Sequence, residues 1–241
     1  MKKIQNKFIF ILISIGLVTI VTVGITSFSI TKSSLESEIA EKLKGITETK
    51  SQQVEDYFTT INKQLLTFSQ SQTVVEAMEK FKESFHTIDV ANLDSSQKSL
   101  SKNRLEKFYS QDFLPQLQKR LPNAQLNQYF PESEHTQILQ DILISANPHP
   151  TGSKNELSDL KDSKLPILSK EKYNEFHKKY HPIIAAYLAE FEYYDIFLVD
   201  HKTGHIVYSV FKELDFATSL IDGPYNGLSR NYSEYSKKGW N

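Results

Sequence analysis

The chain has 241 residues and a formal net charge of −1, with 24% charged and 39% hydrophobic residues. This composition is typical of a chain that folds around a core, and its lysines are scattered among glutamates, so a nucleic-acid-binding surface is not predicted. Cysteine is absent, which excludes disulfides, thiolate nucleophiles and thiolate metal sites.

An apolar run without any charged side chain covers residues 8–30. About 20 apolar residues in a helix suffice to cross the hydrocarbon core of a membrane, so the run predicts one transmembrane helix. A cleaved signal peptide would have a shorter apolar region, about 7–15 residues, followed by small residues at the cleavage site. The run has neither feature, and we therefore interpret it as a membrane anchor.

The charges on either side of the run indicate its orientation. Basic residues precede it and mainly acidic residues follow it: Lys2, Lys3 and Lys7 before, and Lys32, Glu36, Glu38 and Glu41 after. The positive-inside rule then places residues 1–7 in the cytoplasm and everything after Ile30 outside. We expect a single-pass protein of the inner (cytoplasmic) membrane with an extracytoplasmic C-terminal part.

Residues 31–80 contain no proline and carry apolar side chains at helical spacing. The stripe consists of Leu35, Ile39, Leu43, Ile46, Val54, Phe58, Ile61, Leu65, Phe68 and Val75. It predicts one long stalk helix with a narrow apolar face that needs a partner. For the first half of the stalk, packing on its own domain and a parallel coiled coil with a second copy both stay open. The second half is expected to pack on its own domain.

Residues 81–241 are predicted to form the extracytoplasmic domain. The expected elements are a surface loop at Thr87–Lys102 and helices at Asn103–Arg120, Glu134–Ser145 and Glu171–Phe191. Proline is expected to interrupt or end the first helix near Pro115 and to kink or restart the last one at Pro182. The segment ANPHPTGSKNELSDLKDSKLP before the last helix is predicted to be a long exposed connection.

A β-hairpin is predicted after these helices. Two alternating runs, Ile196–Asp200 and His205–Val210, flank the turn His201–Gly204. Gly204 is expected to take a positive φ, and Asp200 and Thr203 are placed to hydrogen-bond the turn backbone. A long helix followed by an antiparallel hairpin predicts an α+β domain.

The sequence favours binding over catalysis. It contains no G-x-S-x-G motif and no glycine-rich phosphate loop, so we expect neither an enzyme nor a bound cofactor. His177 and His181 lie four residues apart on a predicted helix, but no third metal ligand accompanies them, and we interpret them as ordinary helix histidines without a metal. His201 and His205 are interpreted as surface histidines.

Tyrosines and carboxylates near the hairpin are the candidate ligand-binding residues: Tyr193, Tyr194, Asp195, Tyr208, Asp215 and Tyr225. Aromatic rings with one or two carboxylates suit a small cationic or zwitterionic ligand. The alternative is that the rings form the core between sheet and helices, and that the carboxylates are turn residues.

Four stretches carry a family resemblance: residues 53–81, 144–157, 180–220 and 222–227, the third with the pattern YDIFLVDHKTGHIVYSVFKELDF. From about Lys50 to Gly227 the chain resembles the extracytoplasmic sensory region of bacterial receptors of the double-Cache kind, which precede adenylate or guanylate cyclase, histidine kinase or chemotaxis-transducer outputs. The resemblance implies a PAS-like antiparallel sheet carried on a long helix, with a ligand pocket on one face of the sheet.

Members of that family continue with further strands, a second transmembrane helix and an output domain, whereas this chain ends at Asn241 with RNYSEYSKKGWN. We therefore expect residues 81–241 to be the first part of a truncated sensor, with an incomplete sheet and an open edge of unpaired N–H and C=O groups. Such a chain would bind an unidentified small molecule and would associate, through its stalk, with a second copy or with a homologue. The alternative hypothesis is a non-sensing, membrane-anchored interaction protein or a degenerate receptor remnant.

Overall fold

The computed structural model describes residues 2–165, 168 and 170–226. The C-terminal residues 230–241 and Gly227, which entered the sequence comparison above, lie outside this range. The described chain is mostly helical, with a two-stranded antiparallel sheet. It divides between Phe68 and Ser69 into two units, which are described separately.

The first unit is formed by helix α1, which spans Lys2–Ser69. Its most apolar stretch has a mean hydropathy of 2.8, and by length and composition this helix could cross a membrane. Hydroxyl side chains inside the apolar run donate to carbonyls one turn back, as Ser14 Oγ does to Phe10 O at 2.8 Å and Thr22 Oγ1 to Val18 O at 2.7 Å. These bonds satisfy the hydroxyl groups within the helix itself.

The helix predicted over residues 31–80 is two helices in the structure. α1 ends at Ser69, and α2 spans Gln72–Thr87. Ser71 lies between them with an extended backbone, and its side chain accepts a hydrogen bond from the N–H of Val74. A serine at this position caps the first turn of a new helix, which the apolar periodicity alone could not reveal.

The prediction of a surface loop over Thr87–Lys102 is wrong for the second half of that segment. Helix α3 spans Ser95–Phe108 and begins with a capping box, in which the side chain of Asp94 accepts from Gln97 N–H and the side chain of Gln97 accepts from Asp94 N–H. The polar run DSSQ is therefore a helix start and not a loop. Only residues 88–94 connect α2 to α3.

Two π-helical turns extend the helices that follow. The turn Tyr109–Phe113 joins α3 to α4, which spans Leu114–Gln118, and the turn Asp141–Ser145 extends α5, which spans Glu134–Gln140. The helix predicted at Glu134–Ser145 is thereby confirmed in its extent. Pro115 lies in the first turn of α4, where a missing N–H costs little, and the chain stays helical on both sides of it.

The hairpin has the predicted topology with shorter strands. Helix α6 spans Lys172–Glu190 and runs through Pro182 without the restart that the sequence suggested. Strand β1, Phe197–Val199, then pairs antiparallel with β2, Ile206–Ser209. In the turn between them, Gly204 has φ +72° and Asp200 accepts hydrogen bonds from the backbone of Lys202 and the hydroxyl of Thr203.

The open sheet edge that we expected is partly closed at β2. The chain folds back after β2, and its residues 217–220 bond to the outer side of the strand. Ile206 N–H donates to Thr218 O at 3.0 Å, and Ala217 N–H donates to Ile206 O at 3.0 Å. The hydroxyl of Tyr173 from α6 donates to Val207 O at 2.9 Å. Backbone groups that were expected to be unpaired therefore have partners.

The core of the second unit lies between α2, α6 and β2. The ring of Phe81 on α2 stacks on that of Tyr208 on β2 at 4.6 Å and meets that of Tyr173 on α6 edge-on at 5.3 Å. All four residues of β2 are buried, because helices and the returning segment cover the strand from several sides. Aromatic packing thus fixes the hairpin to the helices.

An ion pair between a partly exposed guanidinium and a buried carboxylate connects α3 to the second π-helical turn. The carboxylate of Asp141 is fully buried and receives two parallel bonds from Arg104, Nε to Oδ1 at 2.7 Å and Nη2 to Oδ2 at 2.6 Å. The hydroxyls of Ser101 and Ser145 also donate to it. Four charge-assisted bonds therefore replace the water that this carboxylate loses on folding.

Candidate functional site

A cavity of about 390 Å³ in the second unit is the candidate ligand site. Its walls come from α3 and the first π-helical turn, the second π-helical turn, the loop before Lys154, and the segment after β2. The lining residues are Phe108, Asp112, Phe113, Gln116, Ile144, Thr151, Gly152, Lys154, Phe211, Lys212, Glu213, Leu214, Asp215 and Tyr225. A mostly apolar cavity of this size with a few charged groups is typical of small-molecule sites.

Both π-helical turns contribute to the cavity wall. Asp112 and Phe113 come from the first turn, and Ile144 comes from the second. Such turns hold one residue more than the α-helical turn and are often found at functional sites. They bring these side chains to the cavity although the flanking helices follow ordinary α-helical geometry.

Lys154 shapes one side of the cavity. Its ammonium group donates to the backbone carbonyls of Asn147 at 3.1 Å and His149 at 2.5 Å, which closes a loop whose turn is made by Gly152 with φ +88°. Burial lowers the pKa of Lys154, the nearby Lys164 lowers it further, and Asp112 acts in the opposite direction. The segment predicted to be an exposed connection therefore contains a buried cation.

Lys212 also lines the cavity and has almost no solvent contact. Its backbone has φ +54°, a strained value for a residue with a side chain, and its ammonium donates to Val210 O at 3.0 Å. Burial lowers the pKa of Lys212 to about 7, although Asp195 acts to raise it. Lys212 can therefore gain or lose its proton near neutral pH.

Asp215 is a carboxyl group of the cavity wall, and one of its oxygens makes no hydrogen bond to the described residues. Its Oδ1 atom is buried and has no hydrogen-bond partner in the described part of the chain. Burial raises the pKa of Asp215 to about 6, and the neighbouring Asp195 and Glu213 raise it further in the same direction. Like charges and loss of water thus make this carboxylate a strong acceptor for a cation.

The structure brings two of the six predicted binding residues, Asp215 and Tyr225, to the cavity. Asp195 lies just behind its wall, where its carboxylate accepts bonds from the hydroxyl of Ser209 at 2.8 Å and the N–H of Val210 at 3.0 Å. Burial raises the pKa of Asp195, and these bonds lower it in part. Asp195 therefore holds the segment that carries Lys212 and Asp215.

The other three tyrosines lie elsewhere. Tyr208 is fully buried in the core, where its hydroxyl meets His181 Nδ1 at 2.6 Å, as the core interpretation expected. Tyr193 lies among surface aromatic rings, 6.1 Å from that of Phe191. Tyr194 is 78% exposed, and its hydroxyl donates to the carboxylate of Glu213 at 3.0 Å. These three tyrosines are therefore not brought together at one site, although all of them lie in or near the hairpin.

The paired histidines of α6 belong to the buried core. Their rings stack at 4.5 Å, His177 Nδ1 meets Ser158 O at 3.1 Å, and His181 Nε2 meets Asn155 O at 2.6 Å. Burial lowers the pKa of both, that of His181 to about 3. In the described residues no three His, Cys, Asp or Glu side chains are grouped so that they could hold a metal ion.

His205 differs from the surface histidine that the sequence suggested. Its ring is half-buried against Phe85 at 5.8 Å and lies 6.1 Å from that of His86. His86 in turn bonds to the carboxylate of Asp200 through Nε2 at 3.0 Å, which ties α2 to the hairpin turn. His205 becomes half-buried here, although it follows a tight turn, because α2 packs over the turn.

The cavity combines a mostly apolar lining with a few charged groups. Sequence reasoning missed most of its wall, including Phe113, Ile144, Lys154 and Lys212, because no local pattern joins segments so far apart. Comparison of the chain with protein-family models, with curated proteins and with solved structures finds no match.

Proposed function

We propose that this chain is a membrane-anchored, extracytoplasmic ligand-sensing region of a bacterial signal-transduction receptor of the double-Cache kind. The cavity of about 390 Å³ in the second unit is the observation that carries the proposal. Its apolar walls and convergent charged groups suit a small ligand. The resemblance of residues 180–220 to such receptors supports the sensory interpretation.

Ligand binding would act on the packing of the second unit. The cavity wall after β2 continues from the strand whose Tyr208 stacks on Phe81 of α2. A ligand that contacts residues 211–215 can therefore favour one arrangement of the hairpin against α2 over another. In this proposal, a shift of that kind is the signal.

The proposal includes an anchor that spans the inner membrane with its N-terminus in the cytoplasm. Its support is the apolar run of α1 and the lysines that precede it. The cysteine-free chain allows a direct test, because each introduced cysteine is the sole thiol. On spheroplasts, a membrane-impermeant maleimide should label the Ser51→Cys variant, and should label the Asn6→Cys variant only after lysis. Labelling of Asn6→Cys on intact spheroplasts would contradict the orientation.

Filling the cavity should abolish binding. Thr151 is exposed at the cavity rim, so a Thr151→Trp variant places an indole in the opening without disturbing the core. The full chain in lipid nanodiscs would be screened against small metabolites by thermal shift, and hits would be measured by calorimetry. We expect at least a tenfold loss of affinity in Thr151→Trp, since the indole occupies the ligand's volume.

The matched control is Ser99→Trp, an exposed position of α3 outside the cavity lining. It should bind as the unaltered chain does. A screen without any saturable ligand, or a ligand whose affinity is equal in Thr151→Trp, would overturn the cavity as the sensory site.

A second candidate function is a non-sensing interaction protein anchored by α1. One observation favours it: the apolar stripe at Leu35, Ile39, Leu43 and Ile46 is exposed on α1. Their steps of four, four and three residues suit a parallel coiled coil with a second copy or with a homologue. Stalk-dependent association in nanodiscs combined with a cavity that binds nothing would favour this function over sensing.

A further inference from the structure

We propose that the outer edge of strand β1 pairs antiparallel with the same edge of a second copy of this chain, so that two hairpins form one four-stranded sheet around a two-fold axis at Leu198. The inference goes beyond the proposed sensory function and does not depend on it. It uses an edge of the second unit, whereas the coiled coil considered above uses α1. Three features of β1 carry it: unbonded backbone groups, a self-complementary register, and the charges at the two ends of the strand.

The hairpin register leaves two residues of β1 with backbone groups that face away from β2. Ile196 O and Asp200 N–H both bond across the hairpin, at 3.3 Å and 2.9 Å, so alternate residues of β1 face β2. Phe197 and Val199 lie between these positions, and no described residue outside the sheet bonds to their N–H or C=O groups. Since the returning segment bonds to the outer side of β2, β1 is the side of the sheet where a further strand can be added.

Strand β1 also lacks the features that usually protect a sheet edge. Natural edge strands are shielded by charged side chains, by proline or by a covering segment. Phe197–Val199 contains neither a charge nor a proline. The side chain of Phe197 is 38% exposed, and that of Val199 is partly exposed on the same face of the strand. The edge is therefore apolar, open and able to accept hydrogen bonds.

One register of self-pairing satisfies all the free backbone groups of this edge. With Leu198 opposite Leu198 of the second copy, each Phe197 lies opposite a Val199. Both of these pairs exchange two hydrogen bonds, so four bonds engage the outward N–H and C=O groups of both copies. The same register brings an aromatic side chain beside a β-branched one on the exposed face, a favourable cross-strand pair. A shift of two residues would pair Val199 with Asp195 or Phe197 with His201, outside the strand.

The exposed charges at the two ends of β1 favour the antiparallel order. At its start lies the carboxylate of Glu213, which accepts from the exposed Tyr194 hydroxyl at 3.0 Å. At its end lie the exposed side chains of His201 and Lys202, while Asp200 beside them is buried. An antiparallel pair places the basic end of one copy beside the acidic end of the other, whereas a parallel pair would bring like ends together. The charges thus fit a second copy of this same edge.

Disulfide formation between two differently tagged variants, Phe197→Cys and Val199→Cys, tests the register on the full chain in lipid vesicles. The chain has no cysteine of its own, so each variant carries a single thiol. In the proposed register the two cysteines lie directly opposite, with about 5.5 Å between their Cα atoms, which a disulfide can bridge. After oxidation with copper phenanthroline we expect at least five times more mixed disulfide than either homodisulfide, whose cysteines would lie diagonally at roughly 7–8 Å.

A proline at the edge tests the hydrogen bonds themselves. Val199→Pro removes an outward N–H, and an edge strand tolerates this because its bonds to the neighbouring strand remain. The readout is cross-linking by a short bismaleimide between Tyr194→Cys and Lys202→Cys, which the same register places opposite each other. The proline should lower the yield at least fivefold. The control Val199→Thr keeps the N–H and the branched side chain and should cross-link as the unaltered strand does, and melting temperatures show that both variants are folded.

Three results would overturn the inference and leave the ligand-sensing proposal standing, because the Thr151→Trp test does not involve β1. The first is that homodisulfides form as readily as the mixed disulfide. The second is that Val199→Pro cross-links as well as Val199→Thr. The third is the absence of any disulfide between chains at these positions, and cross-linking at Ser51→Cys would then assign self-association to α1 alone.

Discussion

Replacing Arg104 by alanine should lower the free energy of unfolding by about 3–5 kcal/mol, because the change leaves the carboxylate of Asp141 buried without its cation. Asp141 is fully buried, and the guanidinium of Arg104 supplies two of its four bonds. The hydroxyls of Ser101 and Ser145 would remain, but two neutral donors do not compensate a full charge. Urea unfolding of the full chain in nanodiscs, followed by the near-ultraviolet signal of its tyrosines, measures the loss.

Two variants make this prediction specific. Lys98→Ala, on the same helix as Arg104, removes the partly exposed ion pair of Lys98 with Glu134 of α5 and should cost about 1 kcal/mol. Arg104→Lys keeps the charge but loses the two parallel bonds, so its stability should lie between those of the alanine variant and the unaltered chain. If Arg104→Ala unfolds at the same urea concentration as Lys98→Ala, the pair is not a stabilising element.

Acidification should destabilise the second unit strongly, and the buried histidines of α6 are the main cause. In the folded chain the pKa of His181 is about 3, well below the ordinary value of 6.5, because burial disfavours the charged ring. A histidine with a lowered folded pKa contributes stability that is fully present above pH 6.5 and is lost as the pH falls. Between pH 7 and pH 5 the loss for His181 alone is about 2 kcal/mol.

His177 should add to this loss, since burial and the charges of Lys212 and His181 lower its pKa as well. The measurement is the urea midpoint at several pH values between 5 and 8. A His181→Gln variant, which cannot take up the proton, should show a flatter pH profile even though its stability at pH 7 is lower. The exposed His201→Gln variant should follow the unaltered chain. A profile for His181→Gln as steep as that of the unaltered chain would contradict the assignment.

The elements that the sequence predicted well are those fixed by local chemistry. The hairpin follows from alternating side chains and from one turn, in which Gly204 supplies a positive φ and Asp200 bonds the turn backbone. The missed helix boundaries also had local signals: Ser71 and Asp94 are capping residues, but the apolar stripe and the polar composition outweighed them in our interpretation. Capping chemistry therefore predicts both boundaries.

The candidate site could be predicted only in part. Asp215 and Tyr225 were found because they follow the hairpin, and they do line the cavity. Phe113 and Ile144 join them through tertiary packing between segments that are far apart in the chain, which periodicity cannot indicate. Tyr208 was a candidate binding residue but lies in the core. The alternation of side chains places it on one face of a strand, but this pattern does not indicate that α2 and α6 cover that face.

The two π-helical turns have a consequence for how relatives of this chain would align with it. Each turn is equivalent to the insertion of one residue into an α-helix, and the wider turn takes up that residue locally. A relative without the extra residue would keep the same helix but would present a different side chain where Phe113 or Ile144 now meets the cavity. Aligned without gaps, two such chains would lose their register at Tyr109–Phe113 and again at Asp141–Ser145. The lining of the cavity could therefore change with a single codon gained or lost, with the surrounding helices unchanged.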